Sequence, residues 1–267
     1  MDTEVYTNAP LAMVVAEVQF AYTPELDEQK LLASVVQTAF PGEQPSLALK
    51  PMINVETPEA NRQIGLVVEA VTSDRQRTAS LSPQAMSVAM SGQAYRRYQE
   101  SLRQLINRAC AGLLSAQPSI LVTRLGLRYL DEIRPPVRPE QVQDWERWVD
   151  PALVGPSRYL TGVGGRAVSS RSTWNFELEG GRGLAFNFGP FEGSGIVSAD
   201  HPFHQEGANS LMFVLDVDVS WTPPGGHPIK LSRDEILTHY DGLHRPAQEI
   251  FAAVISEESK KLFRGEL

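Results

Sequence analysis

Residues 120–133 read ILVTRLGLRYLDEI. Large apolar and β-branched side chains dominate this stretch, and Arg134-Pro135-Pro136 closes it, so it predicts one long strand. Leu121, Thr123, Leu125, Leu127 and Tyr129 fall on one face, and Arg124, Gly126 and Arg128 on the other. At strand rise the two guanidinium groups stand roughly 13 Å apart, with a glycine gap between them. A strand that is apolar on one side and charged on the other belongs in an antiparallel sheet with one packed and one polar face. A slip of one residue would bury the charges, so the facing is firmly specified.

Further from this strand the pattern is orderly. LAMVVAEVQFAY at 11–22 is a second long strand, followed by Thr23-Pro24 as the start of a helix that runs to about Phe40 and stops at Pro41-Gly42. Strands are predicted near 46–56, 62–73, 76–81 and 84–91. Tyr95, Tyr98, Leu102, Leu105, Ile106, Ala109 and Leu113 then repeat every three or four residues, which predicts an amphipathic helix ending near Gln117-Pro118. Beyond Ile133 a proline-started helix is expected over 139–150, with Trp145 and Trp148 clamping the sheet. Strands follow near 166–179, 182–190 and 209–221, with a loop rich in Gly and His at 191–208. Pro223-Pro224-Gly225-Gly226 is a hard break. Ser232 and Glu235 form a capping box for the last helix, which Pro246 is expected to kink or divide.

The order strand, helix, strands, helix thus occurs twice, over 11–116 and 119–263. It predicts an α+β fold of two pseudo-repeated halves, 1–117 and 118–267, joined in one compact unit. Mainly antiparallel sheets would be covered by long helices on one face. The halves share element order but little residue identity, and a single irregular α+β domain is the competing description.

With 267 residues, 42% hydrophobic and 21% charged, the chain can bury an ordinary globular core. The net charge is −8, and neither half is basic: residues to Gln117 include 9 basic and 12 acidic, the remainder 15 and 20. That balance disfavours grip on a phosphate backbone. The lone Cys110 excludes an internal disulfide and a multi-cysteine zinc site. No apolar run approaches the ~18 residues that a spanning helix needs, and the acidic start MDTEVYTNAP lacks a signal peptide's apolar region. The expected location is the cytoplasm, with no membrane contact.

Two further strands extend the polar face. Arg171, Thr173, Asn175 and Glu177 oppose an apolar Val168, Trp174 and Phe176; Asp216, Asp218 and Ser220 oppose Leu211, Phe213, Leu215, Val217, Val219 and Trp221. These groups form either cross-strand ion pairs on a solvated face or a preorganised groove for an anionic or zwitterionic ligand, or a partner segment. In the second reading Arg124, Arg128 and Arg171 are the anchors, since the arginine fork suits carboxylate and phosphate, and Glu177, Asp216 and Asp218 complete the site. Removing Arg124 and Arg128 is then expected to abolish capture and leave the thermal midpoint nearly unchanged.

Signals for catalysis are sparse. There is no G-x-S-x-G elbow, and Gly162-Val163-Gly164-Gly165 and Gly193-Ser194-Gly195 lack the ending of a phosphate loop, so they read as turns. Cys110 sits in an apolar stripe with no cation to activate it. All five histidines lie between 201 and 244. Within Asp200-His201-Pro202-Phe203-His204, His201 and His204 are the candidate metal ligands, with Asp241 or His239 to complete a shell. Their spacing matches no compact metal motif. The reading is a non-enzymatic binding or assembly protein, needing no cofactor, that holds a partner protein segment or small anionic ligand on the polar sheet face. The alternatives are a metal-assisted hydrolase using loop 200–206 and a nucleic-acid-binding saddle.

Three separated motifs carry a resemblance. Tyr6, Asn8, Ala9 and Pro10 form a YxNAP start; VTRLGLRYLDEI at 122–133 is the central strand; Leu243-His244, Phe251 and Ile255-Ser256-Glu257 mark the C-terminal helix. Together they resemble a sporadically distributed bacterial and archaeal family of roughly this length to which no biochemical activity is attached. Leu130-Asp131 departs from that pattern, where an Ile-Asn pair is expected, as does Pro246. The resemblance implies a shared fold but no reaction, and patchy distribution implies an accessory gene, such as one in a defence or biosynthetic locus.

Overall fold

The computed structural model describes residues 6–53, 64–155, 169–204 and 209–267. The chain is mixed α and β, built on one antiparallel sheet. In order the elements are β1 (Leu11–Phe20), α1 (Gln29–Gln37), β2 (Ser46–Ile53), β3 (Ile64–Val71), β4 (Arg77–Leu81), β5 (Ala85–Ser91) and α2 (Arg103–Ala116). After these come β6 (Leu121–Ile133), α3 (Pro151–Val154), β7 (Ser172–Leu178), β8 (Arg182–Gly193), β9 (Ser210–Trp221), β10 (Ile229–Lys230), α4 (Arg233–Val254) and α5 (Glu257–Arg264). The strands lie in the order β2-β3-β4-β5-β1-β6-β9-β8-β7, and β10 flanks the start of β6.

The two strands with the strongest sequence signal, β1 and β6, are neighbours at the centre. Val14 lies opposite Tyr129, Ala16 opposite Leu127 and Val18 opposite Leu125, so apolar residues meet on one face. Val14, Ala16, Val18, Leu125 and Leu127 are all buried. The same parity continues outward into β9, where Phe213, Leu215, Val217 and Val219 are buried. Helix α4 is fastened to this layer where the Tyr240 hydroxyl donates to the Glu17 carbonyl at 2.6 Å. Arg103 of α2 donates to Asp241 of α4 at 2.8 and 3.1 Å, joining the two helices.

Several elements differ from the pattern read in the sequence. The helix expected after Thr23 is a short 3₁₀ turn, Pro24–Asp27, followed by α1. A π turn at Tyr98–Leu102 precedes α2. In place of a helix over 139–150 there is a 3₁₀ turn at Val142–Arg147, held by a capping box between Gln141 and Asp144, and then α3. Its three-residue period aligns Trp145 and Trp148, and both are buried, with Trp145 at 5.3 Å from Phe213. Strand β7 begins only at Ser172, and Val168 lies outside the described residues. Trp174 and Phe176 share parity with the buried Phe186 and Leu184. They are nevertheless 58% and 44% exposed, because β7 is the outermost strand and has a neighbour only on its β8 side among the described residues. No helix among the described residues is long and apolar enough to cross a membrane.

Helix α4 is continuous for 22 residues through Pro246, without the division expected there. A proline cannot donate to the carbonyl four residues back, here that of Gly242. That carbonyl instead accepts from Arg182 Nη1 at 3.3 Å, a donor supplied by the start of β8. Replacing Pro246 with alanine restores the helical donor and is expected to stabilise the protein by about 1–2 kcal/mol in urea unfolding. In that background Arg182→Met should cost less than in the parent, and a double-mutant cycle that returns additive values would show the two donors to be independent.

Candidate functional site

The structure brings four of the predicted residues together on the polar face of the sheet. Arg128 donates from Nε and Nη2 to the two oxygens of Asp216, at 2.7 and 2.9 Å. Asp216 is only 4% exposed and also accepts from Asn187 Nδ2 at 3.2 Å, while Thr173 donates to Asn187 at 2.8 Å. Arg124 folds back over Gly126 and lies between Glu17 at 3.4 Å and Asp218 at 3.5 Å. Strand register puts Arg171 and Glu177 on the same face, since Thr173 lies opposite Asn187 and Glu177 opposite Gly183. Both are exposed on or beside the outermost strand, and neither forms an ion pair with a described residue. The guanidinium groups best placed to grip an anion are therefore already held by carboxylates of the protein itself.

A second constellation lies on the packed side. Asp131 continues the apolar parity of β6 after Leu125, Leu127 and Tyr129, opposite Leu11 in β1 and Leu215 in β9. It is 5% exposed and makes no hydrogen bond or ion pair with a described residue. Burial alone pushes its carboxyl up to about 7. Asp131 lines a cavity of about 920 Å³ together with Tyr95, Tyr98, Tyr129 and His244, at the upper end of the roughly 300–1,000 Å³ usual for small-molecule sites.

The walls of this cavity are ordered by ring contacts. The His244 imidazole stacks on Tyr98, with centroids 4.2 Å apart and planes 11° from parallel. Its Nδ1 shares a 2.9 Å hydrogen bond with the Tyr129 hydroxyl, and Tyr95 meets Tyr129 edge to face at 6.1 Å. Burial lowers the His244 pKa to about 4, so the ring is neutral near pH 7. Burial also raises the phenols, Tyr95 to about 12 and Tyr129 well above its ordinary value. The Tyr98 hydroxyl is buried and has no hydrogen-bond partner of good geometry, and burial, followed by the nearby Asp241 carboxylate, pushes its pKa up. Tyr98 stands on the π turn before α2, a device that recurs at functional sites. Three stretches far apart in the sequence converge here: Tyr6, Asn8, Ala9 and Pro10, then Tyr129 and Asp131, then His244 and Phe251 all line this one cavity.

The histidine loop is arranged otherwise. His201 Nδ1 accepts from the Phe203 amide at 3.2 Å, and His204 Nδ1 pairs with the Val197 carbonyl at 3.0 Å. Asp241 is engaged by Arg103, and His239 lies 3.8 Å from the Trp221 ring. Among the described residues, which include this loop only as far as His204, no three His, Cys, Asp or Glu side chains form a metal-binding group.

Sequence reading placed the tyrosines in apolar stripes and passed over Asp131. The available signal was parity, because a carboxylate two residues beyond Tyr129 falls in phase with the core. Two expectations follow from the geometry. Arg128→Ala leaves buried Asp216 without its cation and should cost about 1–2 kcal/mol in urea unfolding, while Arg124→Ala, with its looser partners, should cost less than about 0.5 kcal/mol. The thermal midpoint is thus sensitive to one arginine and nearly indifferent to the other, and equal losses would refute this.

Asp131 gives the second expectation. Its folded pKa of about 7 lies above the ordinary 3.8, so the folded state holds its proton more tightly. Stability from this group is fully present below about pH 4 and is lost as pH rises through 7. Asp131→Asn should therefore melt higher than the parent at pH 8, by at most roughly 4 kcal/mol of stability, and the gap should close towards pH 4. His244 titrates in both proteins and cancels in the difference. A gap that does not vary with pH would show Asp131 to be solvated. No protein-family model matches this chain and no curated protein matches it, so the functional reading rests on the geometry of the site.

Proposed function

We propose that this chain is a binding protein, with no catalytic role of its own, that holds a small ligand in the tyrosine-walled cavity. One observation carries the reading: a buried carboxylate, Asp131, without a protein partner among the described residues, lines a cavity of about 920 Å³. A charge buried unpaired costs stability, and a site that tolerates such a cost is a natural place for a ligand to recover it. The paired state of Arg124 and Arg128 favours this cavity over the polar sheet face as the small-ligand site. The exposed face remains the surface proposed for a partner segment, with Arg171 and Glu177 as charges that have no ion-pair partner among the described residues.

An accessory role in the cytoplasm accords with this reading and with the family resemblance. We also read the sheet as two halves meeting at β1 and β6, with helices on one face. Support comes from strand order, since β5 flanks β1 as β9 flanks β6.

Native mass spectrometry of protein purified from its own host tests the assignment. A bound small molecule is expected, retained in an Arg124→Ala/Arg128→Ala variant and lost in Gln248→Trp, which fills the cavity from α4. Loss in the arginine variant with retention in Gln248→Trp would move the site to the sheet face.

A further inference from the structure

We propose that the cavity recognises an organic ammonium ion, whose charged head sits against Asp131 and whose apolar body lies along Tyr95, Tyr98 and Tyr129. This rests on the cavity being the ligand site. Asp131 is 5% exposed and lines the cavity, and no described residue donates to it or neutralises it. A protonated amine supplies both the opposite charge and the missing donors in one group, and a charge-assisted hydrogen bond formed away from water is a strong one. A neutral ligand would leave the carboxylate uncompensated, and an anion would meet a like charge.

The remaining wall agrees with a cation. Tyr98 and the neutral His244 present stacked rings, and Tyr95 and Tyr129 present another pair. Aromatic faces attract an ammonium through their quadrupole, more strongly where water is excluded. The cavity's own cations do not stand against this. Arg134 is held by Glu132 at 2.6 Å and by the Ser194 carbonyl at 2.9 Å. Arg97 lies 3.8 Å from Glu100, and Arg96 is exposed, where water screens it.

Three probes of nearly one shape separate the alternatives: benzylamine, benzyl alcohol and benzoate, each followed by saturation-transfer NMR and calorimetry at pH 8 with the full chain. The amine is expected to bind about tenfold more tightly than the alcohol, with benzoate weakest. In Asp131→Asn the amine should lose that advantage while the alcohol binds as before. If the alcohol binds and the amine does no better, or benzoate leads, the ammonium assignment is overturned and the cavity remains a ligand site. If none of the three binds at millimolar concentration, both readings are overturned. The comparison among probes on the unaltered protein decides the matter even if the asparagine variant fails to fold.

Discussion

The pairing of β1 with β6 is the constraint on which the molecule depends. From Leu11 opposite Asp131 to Phe20 opposite Val122, these two strands share the longest-reaching signal in the sequence and lie side by side at the middle of the sheet. Their common parity decides which side chains face inward for every strand hydrogen-bonded beyond them. It sends Arg124 and Arg128 to one surface and Tyr129 and Asp131 to the other. It also brings the segment preceding β1 beside the end of β6, where the Glu132 amide donates to the Pro10 carbonyl at 2.8 Å. The register is continuous from Met13 opposite Leu130 to Gln19 opposite Arg124 and shifts by one residue at either end, and the polar network and the cavity both follow from this pairing.

The two aspartates buried among the described residues are treated in opposite ways. Asp216 receives a bidentate arginine and an asparagine amide, so its charge is satisfied where it stands. Asp131, one strand away, is left among phenols and a neutral imidazole. Pairing makes a carboxylate part of the framework, and withholding a partner leaves it responsive to whatever enters. The distinction explains why the face with more charge is the quieter of the two. Its arginines and carboxylates neutralise one another, as cross-strand ion pairs on a half-solvated sheet commonly do.

Much of this was legible in the sequence because strand alternation is a local property. The parity of 125–129, the apolar edge of 211–221 and the capping box at Ser232 needed only near neighbours, whereas a bulge before Arg124 turns Val122 inward and leaves Leu121 43% exposed, against the alternation read there. What was not legible depends on distant ones. Tyr129 and His244 are 115 positions apart, and nothing local announces their hydrogen bond. Arg182 reaches Gly242 across 60 positions, which is why Pro246 does not end its helix. The outermost place of β7 is equally a matter of topology, so Trp174 and Phe176 have the pattern of core residues without their burial. Asp131 is the intermediate case: its parity could be read, but its isolation could not.

The exposed position of Trp174 has a practical corollary. The chain has four tryptophans, and Trp145, Trp148 and Trp221 are buried in the core while Trp174 stands open at the margin of the sheet. Intrinsic fluorescence therefore divides into two populations. Three indoles are shielded and emit from an apolar setting until the whole fold is lost, whereas the fourth is accessible to a dissolved quencher in the native protein. Any molecule that settles on the β7 margin would protect that one emitter and leave the others undisturbed, giving the edge a built-in optical signature.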